Sequence, residues 1–238
     1  MSRYVRKIKG KNFPQIQIVI LAAGLGARTK SYEPRCLLKT NNKKTILENQ
    51  MDILENIFNK AEISIVGGFG IDKIIKKVGK RARIIENQMY ENTNSGESLK
   101  LAVNNSLLDN VLFLHGDLII SDSIFDNANI NQSFLLIDKL GKFEEKEVGL
   151  TIVNNKATVL SYNLPTKWCQ IAFLAENELA ILRKLFLKPD FNPKFMLTFE
   201  VINKIIENGG SFNCFDIGNS FIKEIDSLKD INNENFSR

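Results

Sequence analysis

Apolar positions along the first half of the chain alternate between two periods. Gln15 to Leu21 (QIQIVIL) is a continuous, β-branched run, the pattern of a strand buried on both faces of a parallel sheet. Ala22 to Arg35 is small and glycine-containing and closes at Pro34, which predicts a loop with about one helical turn. From Lys44 to Lys60, Ile46, Leu47, Met51, Leu54, Ile57 and Phe58 recur at helical spacing. Strands are predicted at Glu62 to Val66, Ala82 to Glu86 and Asn110 to Leu114, and helices at Asp72 to Gly79 and Gly96 to Leu108. Strands alternating with helices in this way predict right-handed crossovers and a three-layer αβα, Rossmann-like fold with a mostly parallel mixed sheet.

The second half is less regular. Strands are expected at Ser133 to Ile137, Gly149 to Val153, Ala157 to Tyr162 and Asn213 to Ile217. Helices are expected at Leu179 to Leu187 and Phe199 to Glu207, and a terminal turn and helix at Ile222 to Ile231. No repeat or linker divides the chain, so the expected organisation is a basic N-terminal extension, 1–14, followed by one domain, 15–238.

Composition narrows the classes. Apolar residues are 44% and charged residues 25% of 238 positions, ordinary for a globular protein. No apolar run approaches the ~20 residues of a membrane helix. The basic start lacks the apolar segment of a secretory signal, so a cytoplasmic protein with no membrane partner is expected. The net charge of +5 is scattered, with its densest group at Lys76, Lys77, Lys80, Arg81 and Arg83. A solvated helix face accounts for that group, and no nucleic-acid partner is expected. Cys36, Cys169 and Cys214 have neither disulfide nor zinc spacing. The single histidine, His115, precedes Gly116-Asp117; a strand-end imidazole with its hydrogen bonds met locally is the commoner case.

The segment Leu21-Ala22-Ala23-Gly24-Leu25-Gly26-Ala27-Arg28, then a gap to Pro34-Arg35, carries chemistry at each position. Small residues and glycines let the backbone approach a triphosphate closely. Successive N–H groups in such a turn form an anion-binding concavity. Arg28 and Arg35 add forked donors for phosphate oxygens. The third glycine of a dinucleotide-binding fingerprint is absent, as is the Gly-Lys-Ser/Thr ending of a Walker loop.

Ile18 to Gln50 resembles the opening signature of the nucleotidyltransferases that activate sugar phosphates and small phosphorylated alcohols. That motif runs G-x-G-[TSA]-R, a short gap, then Pro-Lys; here Arg35 stands at the lysine position, with Lys39 a second basic candidate. The stretch Asn87-x-x-Tyr90-x-x-x-Asn94-x-x-x-Ser98-Leu99, and Gly218-Asn219-Ser220 running into Glu224-Ile225-Asp226-Ser227, are similar to bacterial phosphocholine cytidylyltransferases. The resemblance implies a nucleotidyltransferase of the EC 2.7.7 type that transfers a nucleoside monophosphate, with CMP from CTP favoured, to a small phosphorylated or phosphonate acceptor. It implies a Mg²⁺ (or Mn²⁺) ion held by Asp117 and Asp226, with Asp216 a rival for the second place. Arg28, Arg35 and Asp117 are expected to serve catalysis. Leu21, Ala22, Ala23, Gly24, Gly26, Asn94, Gly96 and Ser98 are expected to bind nucleotide. Turn chemistry competes for Asn87 and Asn94. Tyr90 and Trp168 could offer an aromatic face to a choline group, although fewer aromatics surround this stretch than in the choline enzymes. Alternatives are a sugar-1-phosphate nucleotidyltransferase using UTP or another triphosphate, and a regulatory domain that binds nucleotide without catalysis.

Overall fold

A computed structural model describes residues 15–24, 33–141, 146–226 and 230–231. The expected extension, 1–14, and Gly26 and Arg28 of the phosphate loop lie outside the described residues. The first half follows the predicted alternation: β1 (Gln17–Ala22), α1 (Ile46–Ile57), β2 (Glu62–Gly67), α2 (Ile71–Val78), β3 (Arg83–Glu86), α3 (Ser95–Asn104) and β4 (Val111–His115). β3, β2, β1 and β4 are neighbours in that order and all parallel.

Alternate residues of β1 point into two cores. Ile18 and Ile20 pack with Leu47, Met51 and Leu54 of α1 and Ile74 and Val78 of α2. Val19 and Leu21 pack on the other face with Leu99, Ala102 and Val103 of α3. This is the three-layer arrangement that the double burial of QIQIVIL predicts. α1 is held at its start by a capping box: Thr45 Oγ1 accepts from Glu48 N at 3.2 Å, and Glu48 Oε2 accepts from Thr45 N at 2.8 Å. The basic group around Arg81 faces α1, where Arg81 pairs with Asp52 at 2.6 Å and Glu55 at 2.8 Å, and Lys77 pairs with Glu48 at 3.0 Å. Two of its five charges are thus paired with acids of α1.

The second half contains β5 (Leu118–Ile120), β6 (Phe134–Asp138), β7 (Val148–Val153), β8 (Lys156–Tyr162), β9 (Thr166–Leu174), α4 (Glu176–Phe186), α5 (Thr198–Glu207), β10 (Asn213–Asp216) and β11 (Ile222–Glu224). α4 and α5 cover the same face as α3, through Leu179, Leu182, Val201, Ile202 and Ile205. The sheet continues from β4 through β9, β6, β10 and β8 to β7, and β7 also pairs back onto the start of β9. The far half therefore curls into a ring of neighbouring strands.

Two elements depart from the pattern-based expectation. β9 is not predicted at all, yet it is central, antiparallel to both β4 and β6. Its sequence, TKWCQIAFL, neither alternates cleanly nor runs apolar throughout, because Lys167 and Gln170 interrupt it. Residues Ile222–Glu224 form a strand where a terminal turn and helix are predicted, pairing antiparallel with β5, itself too short to show a period. All three cysteines are buried. Among the described residues no helix is long and apolar enough to cross a membrane.

Candidate active site

β1 and β4 are adjacent and parallel, so their C-terminal ends open on the same edge of the sheet, where ligands of open α/β sheets bind. The two chains nearly touch there. Gly116 N donates to Leu21 O at 2.8 Å, and a Cβ on Gly116 would stand 2.9 Å from the Ala22 Cβ. Small residues at both positions are therefore a packing requirement, and they put Asp117 beside Ala22 to Gly24.

Arg35 begins a short 3₁₀ turn, Arg35–Leu37, directly after Pro34. Its Nη1 donates to Asp117 Oδ2 at 2.8 Å and to Asp226 Oδ1 at 3.1 Å. One guanidinium nitrogen thus ties together two carboxylates that are 109 positions apart in sequence. β11 delivers the second: it pairs with β5, and Ile225 N donates to Asp117 O at 2.9 Å. Asp226 N in turn donates to Asp230 Oδ2 at 3.0 Å. The rival, Asp216, lies elsewhere, accepting from the backbone N of Gly218 and Lys139. Burial pushes the Asp117 carboxyl above its usual range; Arg35 opposes this and Asp226 adds to it. Asp117 Oδ1 is buried with no partner among the described residues.

These residues line a cleft of about 530 Å³, together with Leu21, Ala22, Ala23 and Gly24 on one side. Asn94 and Ser98 also line it, but both are committed locally. Asn94 Nδ2 donates to Phe195 O at 2.7 Å, and Ser98 Oγ accepts from Asn87 Nδ2 at 3.1 Å. Asn87 also donates to Thr93 Oγ1 and accepts from Met89 N, the turn role that competes with ligand contact. Gly96 is buried away from the cleft lining: a Cβ there would sit 2.6 Å from Met196 O and 2.7 Å from Pro193 O. Its glycine permits close packing of α3 on residues 193–196. Lys39 is exposed in a bridge with Thr45 and does not line the cleft. Trp168 does, but it is buried, and its Nε1 donates to Ile171 O at 3.2 Å.

Several further residues line the cleft, among them His115, Gln170, Thr198 and Glu224. His115 Nε2 sits 3.0 Å from Thr198 Oγ1 at the start of α5. Burial brings the imidazole down to about 4, with Glu224 opposing and Arg35 reinforcing, so it is neutral near pH 7. Gln170 donates through Nε2 to Glu224 Oε2. Burial raises the Glu224 carboxyl; Asp117 and Asp226 add to this, while Gln170 and His115 work against it. Gln170 has φ +56°, beside the register shift between β9 and β6. A non-glycine residue in that region at a cleft wall marks local strain of the kind that collects at functional sites.

The C-terminal edge of parallel β1 and β4, with Asp117 and Asp226 clamped by Arg35 beside Ala22 to Gly24, is set in a fold shared with nucleotidyltransferases. The chain belongs to the family described as domain of unknown function DUF6564, which matches residues 33–172, a span that includes Arg35 and Asp117 and stops before Asp226. The inositol-1-phosphate CTP transferase of T. maritima shares the fold with a TM-score of 0.74 at 17% identity, covering 93% of each chain. The CTP:phosphocholine cytidylyltransferase LicC of Streptococcus pneumoniae has a TM-score of 0.69 at 20% identity, covering 92% of this chain and 96% of its own. In sequence, the bifunctional protein GlmU of Methanococcus maripaludis is 29% identical over 202 residues, 80% of this chain. The chain spans about half, 47%, of that relative's length.

Proposed function

We propose that this chain is a metal-dependent nucleotidyltransferase that moves CMP from CTP onto a small phosphorylated or phosphonate acceptor and releases pyrophosphate. The observation that carries the reading is the convergence of Asp117 and Asp226 on Arg35 beside the phosphate loop. The choice of CTP is supported by the two fold relatives named for CTP.

The donor set suits a hard divalent cation: two carboxylates, one of them with a buried oxygen that no described residue satisfies. Asp117 and Asp226 would hold Mg²⁺ or Mn²⁺, which when bound neutralises triphosphate charge and supports departure of pyrophosphate. The rest falls to the chain's own groups. Backbone around Ala22 to Gly24 and the expected contact from Arg28 hold the triphosphate. Arg35 spends one nitrogen on the carboxylates, and its Nε and Nη2 engage no described residue, so they remain for phosphate oxygens. An acceptor phosphate oxygen attacks the α-phosphorus; the bond to the bridging oxygen breaks, and pyrophosphate leaves with its electron pair. The attacking oxygen is already anionic near neutral pH, so no residue need remove a proton. Positioning and charge neutralisation then supply the rate.

A panel of the four triphosphates against phosphocholine, phosphoethanolamine, an aminoalkylphosphonate, a phosphorylated amino acid and sugar 1-phosphates tests this, read as pyrophosphate release with Mg²⁺. The expected outcome is release with CTP and one phospho-acceptor class. Release only with UTP and a sugar 1-phosphate would replace the CTP assignment, and no release from any pairing would favour a regulatory nucleotide-binding domain.

A further inference from the structure

Gln50 is 1% exposed on α1 and does not line the cleft. Its Nε2 donates to His115 O at 2.9 Å and to Leu118 O at 2.8 Å. Those carbonyls flank Gly116-Asp117, so a single side-chain amide bridges both ends of the turn that presents Asp117. Only the amide nitrogen can face two carbonyl oxygens, which fixes the orientation of the group. The cost of this arrangement is visible, because Gln50 Oε1 is buried with no partner among the described residues.

The turn also controls the second carboxylate. Asp117 O accepts from Ile225 N, and Leu118 pairs with Glu224 in the β5–β11 ladder, so β11 and Asp226 are docked on the segment that Gln50 holds. α1 is a rigid base for this, capped by Thr45 and Glu48 and anchored in the core by Leu47, Met51 and Leu54. We propose that Gln50 is a positioning residue that sets the spacing of Asp117 and Asp226 by clamping the His115–Leu118 turn. The inference rests on the reading of those aspartates as the metal-holding pair.

The molecule supplies its own control. Gln17 is likewise buried with an unpartnered Oε1, and its Nε2 donates to Ser64 Oγ and Ala102 O. It lies at the opposite end of β1 from the cleft, beside Glu62 and Val111. Gln50→Leu and Gln17→Leu therefore remove matched buried amides, only one of which touches the aspartate turn. The measurement is the affinity of each full-length protein for Mn²⁺ alone, followed by water-proton relaxation, with a urea unfolding curve for each. Gln50→Leu is expected to bind Mn²⁺ at least ~10-fold more weakly, the size seen when groups that orient metal ligands are removed. Gln17→Leu is expected to lose comparable stability and keep wild-type affinity. If Gln50→Leu does not fold, Gln50→Met keeps the length of the side chain, removes the donors without adding charge and is read the same way. Asp117→Ala separates the two claims. Weakened binding in Asp117→Ala with unchanged binding in the Gln50 variants would overturn the positioning role alone. Wild-type binding in Asp117→Ala would overturn the metal reading and the Gln50 role together.

Discussion

Arg35 places one nitrogen against two carboxylates, so removing it exposes their mutual repulsion as well as a lost hydrogen bond. Arg35→Ala is expected to destabilise the fold by about 1–3 kcal/mol, the cost of leaving partly buried charged groups without their partner. Arg35→Lys should recover part of that, since a point charge can face both oxygens but cannot also present a fork to phosphate. Urea unfolding of the three proteins checks the order; an Arg35→Ala protein as stable as wild type would remove the clamp from the account. At this scale Arg35, Asp117 and Asp226 were legible from local motifs. Glu224 and Gln170 were not, because their proximity depends on two strands whose sequences do not announce them. The crowding at Gly96 was not legible, since the residues that press on it, Pro193 and Met196, are about 100 positions away.

The helices and parallel strands were read well because each shows one clean period over enough residues. β9 was missed although it is the longest strand, since its polar Lys167 and Gln170 fall where the sheet curls and shifts register. A three-residue strand such as β5 or β11 is too short for any period to be seen. The ion pairs between α1 and the segment after α2 give a pH-dependent test at this scale. For Asp52, burial works to raise the carboxyl pKa, but Lys44 and Arg81 outweigh it and hold it below its ordinary value. Glu48 is lowered in the same way against burial, by Thr45 and Lys77. A lowered folded-state pKa contributes stability that is present above the unfolded value, about 4, and is lost as pH falls through the folded one. Arg81→Ala should therefore be less stable than wild type at pH 7, with the gap narrowing as pH falls below about 4. A gap that keeps its size across that range would contradict the assignment.

Across the whole molecule the sheet divides the work. Its parallel half, β3-β2-β1-β4, brings Ala22 to Gly24 and Asp117 to one edge; the curled half supplies Trp168 and Gln170 to the cleft wall, and the separate β11–β5 pair supplies Glu224. The first half was legible because local crossovers build it. The second was not, because its ring depends on pairings such as β7 with β9 that no local pattern encodes. The central claim is that Arg35, Asp117 and Asp226 form one transfer site. The most direct test is pyrophosphate release by Asp117→Ala, assayed with the triphosphate and acceptor that serve the wild type, and with its fold confirmed by circular dichroism and its melting temperature. The account predicts a folded protein whose turnover falls by at least ~10²-fold. A folded Asp117→Ala protein that releases pyrophosphate at the wild-type rate would contradict it.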